Sequence, residues 1–476
     1  MCGIVGILGD HEAAPMLVEA LKRLEYRGYD SAGIATVANG KLARRRALGK
    51  LVNLSDLLVH EPLAGKSGIG HTRWATHGMP SVTNAHPHQS GPVAVVHNGI
   101  IENFKSLRED LASKGYHAQS ETDTETISLL AQSFLDQNLA PRDAAEQTIA
   151  RLEGAYALAF LFDGESDLIV AARQGSPLAV GHGDGEMFLG SDAFALAPMT
   201  DRITYLEEGD RAEITRDGVT IYDAQGQRAN RDIRRVQIDT SQIEKGGHKH
   251  FMAKEIAEQP TVLADAIKHY IAEDGLNLPD NTPDFSQIDR IIIVACGTAY
   301  LACASAKYWI ERLAQIPVEV DIASEFRYRA PPIGPRTLAI FVSQSGETAD
   351  TLAALRHVAE RAQILSVVNV VESSIARESD IALPILAGTE IGVASTKAFT
   401  CQLSVLLALA LKAGRDRDLI SASEMQSHIA EFRTLPGRVS SALNVSETIA
   451  TLAKELSKAR DILFLGRGQM YPIALE

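Results

Sequence analysis

The second residue of the chain is a cysteine, and this position allows a chemistry that an internal cysteine lacks. Initiator methionine is normally removed before small residues, so Cys2 would carry both its thiol and a free α-amine. An α-amine titrates at about pH 8 and a thiol at about 8.5, so the amine can accept the thiol proton directly or through a water. The alternative is that Cys2 simply begins an apolar strand, since Ile4, Val5 and Ile7 follow. Position alone leaves both interpretations open.

Two polar clusters favour the catalytic interpretation. They are HTRWATHG at residues 71–78 and HNGIIEN at residues 97–103, and each is expected where a strand ends. Asn98 and Gly99 offer a side-chain amide and an unhindered backbone N–H, the two donors that an oxyanion hole requires. The same dipeptide is also the usual pair of a type I′ turn. Both can hold at once, because a turn is one way to aim the donors.

Two charged residues near these clusters could bind an amino acid. Arg73 has the planar fork that grips a carboxylate with two hydrogen bonds, and Asp123 could hold an ammonium group. Taken singly, each is more often half of a surface ion pair. Trp74 could equally be a core residue, and the sequence identifies no partner for His77 or His86. Together, Arg73 and Asp123 predict a site that holds both ends of a free amino acid.

A second polar constellation lies in the later half of the chain. The segment SQSGET, residues 343–348, follows an apolar strand and precedes a helix, so its hydroxyl and N–H groups converge at a helix N-terminus, which favours an anion. Thr298 occupies the equivalent place one strand earlier. Serine and threonine at such positions are often only helix N-caps. However, polar loops at the carboxyl ends of neighbouring parallel strands are where open α/β sheets bind ligands.

Composition limits the classes of function. The 476 residues carry a net charge of −14, which would repel a polyphosphate backbone, so no nucleic-acid partner is expected. The longest apolar run, residues 403–411, is about half the length of a membrane span. The first residues also lack the features of a signal peptide. We therefore expect a soluble, cytoplasmic protein without a membrane partner.

The remaining reactive side chains are assigned structural roles. The cysteines at positions 2, 296, 303 and 401 show no zinc-site spacing, so neither a metal nor a cofactor is expected. Cys303 and Cys401 lie in apolar helical patterns and are interpreted as small buried hydrophobes. The basic run at residues 44–46 is interpreted as a solvated surface. Lys397, at a predicted helix start, is interpreted as half of an ion pair.

The residue pattern changes twice along the chain. Up to residue 222, short strands and amphipathic helices alternate, which suits two sheets between helical layers. Residues 223–248 are polar and contain glycines, as in a linker, and a helix is predicted at residues 250–271. From residue 290, apolar strands, short polar loops and helices alternate, which predicts a parallel sheet with crossover helices.

An internal repeat predicts a second copy of the parallel domain. The segment IIIVACGTAY at residues 291–300 is echoed by ILFLGRGQMY at residues 462–471. The second copy would begin with a strand near residue 461. Because 16 residues run from Asp461 to Glu476, we expect this copy to be incomplete.

The motifs together resemble the class II glutamine amidotransferases, and within them the glutamine–fructose-6-phosphate aminotransferase family. The resemblance rests on residues 1–6, 24–33, 71–78 and 97–103, and it runs from Cys2 to Glu476. It implies an α/β fold class: an N-terminal-nucleophile αββα sandwich, then a flavodoxin-like parallel α/β sugar isomerase domain and the start of a second one. The implied domains are an amidotransferase domain at 2–222, a linker and connecting helix at 223–282, a first sugar isomerase domain at 283–425, a helical segment at 426–460 and the start of the second domain at 461–476.

The resemblance also implies a role for individual residues. Cys2 would attack the carboxamide of glutamine, with Asn98 and Gly99 binding the oxyanion. The residues implied to bind glutamine are Arg73, Trp74, Thr76, His77 and Asp123, with Trp74 gating an ammonia channel. The residues implied to surround the phosphate of fructose 6-phosphate are Thr298, Ser343, Gln344, Ser345 and Thr348, with Val393 and Ser395 beside the sugar. A homodimer through the sugar isomerase domains is also implied.

The family reaction converts fructose 6-phosphate and glutamine into glucosamine 6-phosphate and glutamate, the first step of hexosamine synthesis. The groups that the family uses for isomerisation and imine formation have no counterpart up to Glu476, so we expect this chain to complete only the glutaminase half. Sugar isomerase domains also occur in regulators. A sugar-phosphate-binding regulator with residual glutaminase activity is therefore the alternative, and the Cys2 constellation argues against a pure sensor.

Overall fold

The computed structural model describes residues 2–25, 28–74, 78–236, 245, 247–272, 275–329 and 331–476. These residues form two compact units that divide between residues 243 and 244. The first unit contains two antiparallel sheets, and the second contains one parallel sheet.

Strands of the first unit form two sheets. In chain order they are β1 Gly3–Leu8, β2 Ser31–Ala38, β3 Lys41–Leu48, β4 Ser67–Arg73, β5 His88–Ser90, β6 Val93–Ile101, β7 Gly154–Phe162, β8 Glu165–Gln174, β9 Ala179–His182, β10 Met187–Gly190, β11 Arg202–Tyr205, β12 Arg211–Thr215, β13 Gly218–Tyr222, β14 Arg228–Ala229 and β15 Arg234–Arg235. One sheet has the order β15-β11-β9-β10-β1-β4-β2-β3, and the other has the order β14-β13-β12-β8-β7-β6-β5. The described helices of this unit are α1 Ala13–Lys22, α2 Leu51–His60, α3 Phe104–Ser113, α4 Asp123–Leu135, α5 Pro141–Ile149 and α6 Ala193–Leu196.

The apolar faces of β1 show how these layers stack. Ile4 and Leu8 belong to the core between the two sheets. Val5 and Ile7, one residue out of phase, belong to the core that α1 covers. Because successive side chains of a strand point to opposite faces, a strand that is apolar at every position must be covered on both sides. The same alternation in β7 places its other face against α4. The predicted helix–sheet–sheet–helix arrangement is confirmed.

The second unit is built on a parallel sheet. Its helices and strands, in chain order, are α7 Phe251–Tyr270, β16 Arg290–Ala295, α8 Gly297–Ala314, β17 Val318–Ile322, α9 Ala323–Arg329, β18 Thr337–Ser343, α10 Ala349–Val358, β19 Gln363–Val368, α11 Ser374–Arg377, β20 Ile381–Pro384, α12 Lys397–Asp416, α13 Ala422–Leu443, α14 Ser446–Leu456 and α15 Tyr471–Leu475. The strands are all parallel, in the order β17-β16-β18-β19-β20. This confirms the predicted parallel α/β domain, and α7 confirms the predicted connecting helix.

Helices cover both faces of this sheet. In β16, Ile291 and Ile293 pack in the core with α7, α8 and α12. Ile292 and Val294, on the opposite face, pack in the core with α9, α10 and α11. An almost continuous apolar strand is the sequence expected for a parallel sheet that is buried on both sides. The loops at its carboxyl edge are therefore carried by a rigid support.

Two interpretations of buried side chains are confirmed in this unit. Cys303 in α8 and Cys401 in α12 are fully buried among apolar residues. Among the described helices, α12 is long and apolar enough to cross a membrane, but 72% of its apolar window is buried within the protein. Its apolar composition follows from its place in the core. At its start, Lys397 Nζ lies 2.8 Å from Glu258 Oε2, which is the predicted ion pair.

Two segments differ from the expectations. The stretch interpreted as a linker contains β14 and β15, which extend the edges of the two sheets of the first unit. The strand predicted near residue 461 does not form; residues 461–467 are irregular, and a 3-10 turn and α15 follow them. A strand requires a neighbour that satisfies its N–H and C=O groups, and these described residues pair with none.

The type I′ turn considered for Asn98 and Gly99 is wrong. Both residues lie inside β6, where Asn98 is opposite Ala157 and Gly99 is opposite Tyr156 of β7. Gly99 has a φ of +131°, and a Cβ atom there would lie 1.9 Å from the carbonyl oxygen of Ala155. The position therefore requires glycine because the backbone is strained for other residues and because the next strand approaches so closely.

We expect Gly99→Ala to lower the free energy of unfolding of the first unit by at least about 2 kcal/mol. Backbone strain at a positive φ costs about 1–3 kcal/mol, and the clash with Ala155 adds to it. Gly218→Ala is the matched control, because Gly218 has a φ of +151° but no atom within 4 Å of the added Cβ. Urea denaturation of both variants measures the difference. Equal losses would show that the close approach of β7 contributes nothing.

Candidate active site

Pairing of β1 with β4 determines the surroundings of Cys2. Gly3 lies opposite Thr72, so Cys2 reaches the end of β4 where Arg73 and Trp74 follow. The backbone N–H of Trp74 donates a hydrogen bond to Cys2 Sγ at 3.3 Å. The thiol in turn lies 3.6 Å from the carbonyl oxygen of Trp74. Backbone groups of a strand end therefore hold the thiol in place.

Asn98 reaches Cys2 from the other sheet. Its Nδ2 donates to the carbonyl oxygen of Cys2 at 3.0 Å. Gly99, the next residue of β6, lines the cleft in which Cys2 lies. The predicted nucleophile and the two predicted oxyanion donors are therefore brought together, although 96 residues separate Cys2 from Asn98.

His71 fixes the orientation of the Asn98 amide. Its Nε2 lies 2.9 Å from the carbonyl oxygen of His97 and 3.0 Å from Asn98 Oδ1. A carbonyl oxygen can only accept a hydrogen bond, so Nε2 carries the proton and the amide oxygen of Asn98 faces it. Complete burial lowers the pKa of His71 to about 3, so the ring is neutral. The amide nitrogen of Asn98 is thereby directed toward Cys2.

Arg73 and Asp123 are both buried, with side-chain exposures of 4% and 7%. Arg73 Nη2 donates to the carbonyl oxygen of Gly78 at 3.1 Å. Asp123, the first residue of α4, accepts hydrogen bonds from the backbone N–H groups of Ile101 and Thr124. Their burial contradicts the alternative of two surface ion pairs. Instead, a guanidinium and a carboxylate face one cleft.

The cleft around these side chains has a cavity volume of about 20 Å³, room for about one water, and is partly open to solvent. It is lined by Cys2, Arg73, Trp74, His86, His97, Gly99, Thr122, Asp123 and Thr124. Trp74 is 41% exposed and meets the ring of Tyr29 edge to face, so it is not a core residue. Thr76 and His77, which the sequence also assigned to this site, lie outside the described residues.

Burial raises the pKa of the Cys2 thiol above its ordinary value. The hydrogen bond with Trp74 and the positive charge of Arg73 lower it in part, whereas the carboxylate of Asp30 raises it further. The thiol is therefore protonated at neutral pH. A reaction that uses the thiolate needs a base at the site to remove this proton.

In the second unit, a polar loop joins β18 to α10. Ser343 Oγ accepts a hydrogen bond from the N–H of Gly346 at 3.0 Å and lies 3.0 Å from Thr348 Oγ1. Ser345 Oγ accepts from the N–H of Glu347 at 3.2 Å. Gly346 has a φ of +64°, and an added Cβ would lie 1.9 Å from Ser373 Oγ. The loop is therefore compact and closed by its own hydroxyl groups.

Asn369, which follows β19, links this loop to the next one. Its N–H donates to the carbonyl oxygen of Gln344 at 3.1 Å. Its side chain donates to the carbonyl oxygen of Gly388 at 2.6 Å and accepts from the N–H of Ala387 at 3.0 Å. No sequence motif assigned a role to Asn369. Because Asn369 forms hydrogen bonds to both loops, it holds the loop at residues 343–348 beside the loop that follows β20.

The other predicted sugar-site residues occupy two places. Thr298, in the first turn of α8, which follows β16, donates from Oγ1 to Glu476 Oε1 at 2.8 Å. Val393 is 74% exposed in the loop before α12. Ser395 donates to Glu390 Oε2 at 2.8 Å, so its contact lies within that loop. Thr298 thus lies at the start of the helix that follows β16, and Val393 and Ser395 lie in the connection that follows β20.

Comparison with known proteins identifies both units. A family profile described as a glutamine amidotransferase domain matches residues 71–198, and one described as a SIS domain matches residues 284–412. A Mesorhizobium japonicum protein named glutamine–fructose-6-phosphate aminotransferase (isomerizing) is 56% identical over 479 residues, covering 100% of this chain and 79% of that protein. A Brucella suis protein of the same name is 53% identical over 484 residues, with the same coverage of both chains.

The chain belongs to the glutamine–fructose-6-phosphate aminotransferase family. The resemblance drawn from the sequence motifs is thus confirmed. Among solved structures, the C-terminal domain of glucosamine-fructose-6-phosphate aminotransferase from Francisella tularensis is 41% identical. The match covers 48% of this chain and 66% of the Francisella tularensis chain, with a TM-score of 0.47.

Several residues of the cleft were not predicted by the sequence patterns. His71 lies two residues before Arg73 on β4, so period-two alternation could have placed both on one face. His97 begins the motif at residues 97–103, but the motif assigned no role to this residue. His86 and Thr122 line the cleft through connections between elements. Their positions depend on tertiary packing that no local pattern reports.

Reactivity of the thiol tests its electrostatic environment. Because burial raises the Cys2 pKa, alkylation by iodoacetamide should be slow at neutral pH and should rise as the pH passes the raised pKa. Asp30→Asn should move this rise to lower pH, and Arg73→Gln should move it to higher pH. Mass spectrometry of the Cys2 peptide measures the rate. A rate that is already maximal at neutral pH, or shifts of the same sign in both variants, would contradict this account.

Proposed function

We propose that this chain releases ammonia from glutamine at Cys2 and uses fructose 6-phosphate as the acceptor, forming glucosamine 6-phosphate and glutamate. The observation that carries the proposal is the meeting of Cys2, the Asn98–Gly99 donors and a buried Arg73–Asp123 pair around one cleft. Family membership supports the same reaction, since relatives are named for glutamine and fructose 6-phosphate.

The glutaminase step begins with attack of the Cys2 sulfur on the carboxamide carbon. Negative charge then develops on the carboxamide oxygen, where hydrogen-bond donors stabilise the transition state. The amide nitrogen of Asn98 has two hydrogens, and its bond to the Cys2 carbonyl uses one of them. The second hydrogen and the N–H of Gly99 are the proposed oxyanion donors. His71 keeps the Asn98 amide from turning its oxygen toward the developing charge.

The α-amine of Cys2 is the proposed base. The raised pKa of the thiol means that it does not ionise by itself at neutral pH. Burial also lowers the pKa of His86 well below its ordinary value, so its neutral ring is a weak base in this site. An α-amine titrates near neutrality, at about pH 8, and lies on the same residue as the sulfur. Removal of Met1 is therefore part of the proposal.

Substrate glutamine would be bound through its own charges. Arg73 would receive the α-carboxylate, and Asp123 would receive the α-ammonium group. A guanidinium gives a carboxylate two parallel hydrogen bonds, and such charge-assisted bonds are roughly twice as strong as neutral ones. Thr76 and His77 remain predicted contacts from the family resemblance. Trp74, which is exposed beside the thiol, is the proposed gate of the ammonia path.

Fructose 6-phosphate would bind at the carboxyl edge of the parallel sheet. The phosphate would lie against Ser343, Gln344, Ser345 and Thr348, whose loop precedes α10. Thr298, in the first turn of the helix that follows β16, would contact the phosphate as well. A helix N-terminus presents N–H groups and the positive end of the helix dipole to an anion. Val393 and Ser395 are the proposed contacts beside the sugar.

Two further expectations stay predictions: a homodimer through the sugar isomerase domains and a cytoplasmic location. Measuring glutamate together with glucosamine 6-phosphate tests the proposed reaction. The alternative of a sugar-phosphate-binding regulator is not favoured, because a regulator needs no nucleophile held against oxyanion donors in a cleft.

We expect Cys2→Ala to lower glutamate release by at least about 10³-fold while fructose 6-phosphate affinity is unchanged. This substitution removes only the thiol group, which lies in a different unit from the sugar-phosphate loop. Cys303→Ala is the matched control, because Cys303 is a buried core residue of α8 and should leave the rate unchanged. Glutamate production and calorimetric titration measure the two effects. Turnover of Cys2→Ala within about tenfold of the parent would remove Cys2 from the mechanism.

For the acceptor site, we expect Ser345→Ala combined with Thr348→Ala to weaken fructose 6-phosphate binding by about 2–4 kcal/mol. Each hydroxyl would lose a charge-assisted bond to the phosphate. Ser379→Ala, which removes a hydroxyl that follows α11 and donates to the carbonyl oxygen of Ile375, is the control within the same unit. Calorimetry with fructose 6-phosphate and with fructose measures the contribution of the phosphate. Unchanged affinity in the double variant would mean that this loop is only a helix cap.

A further inference from the structure

The first unit contains a second cavity, of about 320 Å³, which shares no lining residue with the Cys2 cleft. Its walls come from β3, β5, the connection between α3 and α4, and α4 itself. Its surface is mainly polar, with side-chain amides from Gln89, Gln119 and Gln132. The size falls at the lower end of the range that small-molecule sites occupy, about 300–1,000 Å³.

Two arginines of β3 face this cavity. Arg44 and Arg46 are two residues apart on the strand, so their side chains share one face, and both line the cavity. Arg45 lies on the opposite face and pairs with Glu61 at 2.9 Å. The interpretation of residues 44–46 as a solvated surface is therefore wrong for Arg44 and Arg46, which are half-buried.

Backbone carbonyl groups occupy only part of each guanidinium. Arg44 Nη1 donates to the carbonyl oxygen of Pro87 at 3.1 Å. Arg46 Nη1 donates to the carbonyl oxygens of Thr83 and Ala85, at 3.0 and 2.7 Å. These bonds use one of the two terminal nitrogens of each side chain. Within the described part of the chain, neither arginine has a carboxylate within 4.0 Å.

One carboxylate lines the cavity, and it is already engaged. Glu125 accepts hydrogen bonds from the N–H groups of Gln119 and Ser120 and from Ser120 Oγ. It offsets one of the two positive charges at most. Burial lowers the pKa of Arg44, and it lowers that of Arg46 to about 10, although Glu125 opposes both shifts. The protein therefore holds two partly desolvated cations beside an open polar space, in a chain whose net charge is −14.

We propose that this cavity binds a small metabolite through an oxyanion group, a phosphate or a carboxylate, held between Arg44 and Arg46. Planar guanidinium groups bind both kinds of oxyanion with paired hydrogen bonds. The amide side chains around them supply donors and acceptors for the remainder of the ligand. His117, which is exposed at the cavity wall, lies where it can contact the same group.

Binding of inorganic phosphate and of succinate to the full chain tests the proposal and distinguishes the two kinds of oxyanion. The chain should carry Ser345→Ala and Thr348→Ala, so that the sugar-phosphate loop does not compete for phosphate. Thermal unfolding at constant ionic strength should show a saturable increase in Tm with at least one of the two probes. Arg44 is the residue to vary, because Arg46 also supports the carbonyl groups of residues 83 and 85.

In this background, Arg44→Gln should weaken binding of the effective probe by about tenfold or more, as expected for one charge-assisted bond. Arg45→Gln, which removes the same charge from the opposite face of the same strand, should bind like its parent. His117→Ala provides a second variant with little risk to folding, because the side chain is exposed, and it should show a smaller loss. Equal affinity in the Arg44→Gln and Arg45→Gln chains would overturn the proposal. The absence of a saturable response to both probes would overturn it as well.

Discussion

The ladder between β1 and β4 is the interaction on which the candidate active site depends. It pairs Gly3 with Thr72 and continues without interruption to Leu8 and Ser67. The two faces of β1 belong to different cores, so a slip of one residue would exchange the side chains that fit each core. The packing of β1 therefore determines, several residues away, that the thiol of Cys2 meets the backbone of Trp74.

Packing between the two sheets supplies the other half of the site by the same logic. Ile4 and Val96 both belong to the core between the sheets. Cys2 lies two residues before Ile4, and Asn98 lies two residues after Val96, so each continues the inward face of its strand. The contact between Asn98 Nδ2 and the Cys2 carbonyl is the polar end of an otherwise apolar interface. A catalytic pair is thus held by the packing that stabilises the fold.

The buried histidine behind this pair shows why the arrangement is specific. His71 is neutral, and its single N–H group points at oxygen atoms of His97 and Asn98. A rotated Asn98 amide would place its N–H₂ group against this N–H and its oxygen against the carbonyl oxygen of Cys2, so the hydrogen bonds of Asn98 to both residues would be lost. In a buried environment an unsatisfied polar group costs about 1–3 kcal/mol, so one orientation is strongly preferred. The interaction stabilises the orientation of a donor more than it stabilises the fold.

Local patterns predicted the layers of both units, because alternation and amphipathicity directly reflect which faces are buried. Residue chemistry predicted Cys2, Arg73, Gly99 and Asp123 of the cleft, and the family resemblance added Trp74. They failed where tertiary pairing overrides local preference. Asn98 and Gly99 have strong turn propensity, yet β7 holds them inside a strand. Residues 461–467 have a strand-like composition but lack a partner strand. The roles of His71 and Asn369, and the burial of Arg44 and Arg46, depend on contacts between distant segments that one sequence does not encode locally.

The charges at the carboxyl edge of the parallel sheet indicate which end of a sugar phosphate would meet which loop. The loop before α12 is held by two buried carboxylates, Glu255 and Glu390, which already accept hydrogen bonds from its N–H groups. An anion brought to that loop would meet like charge. The loop at residues 343–348 carries one such carboxylate, that of Glu347, which accepts from the N–H of Ser374, and its serine and threonine hydroxyls carry no charge. We therefore infer that the phosphate end is bound at residues 343–348 and the uncharged sugar end is directed toward Val393 and Ser395.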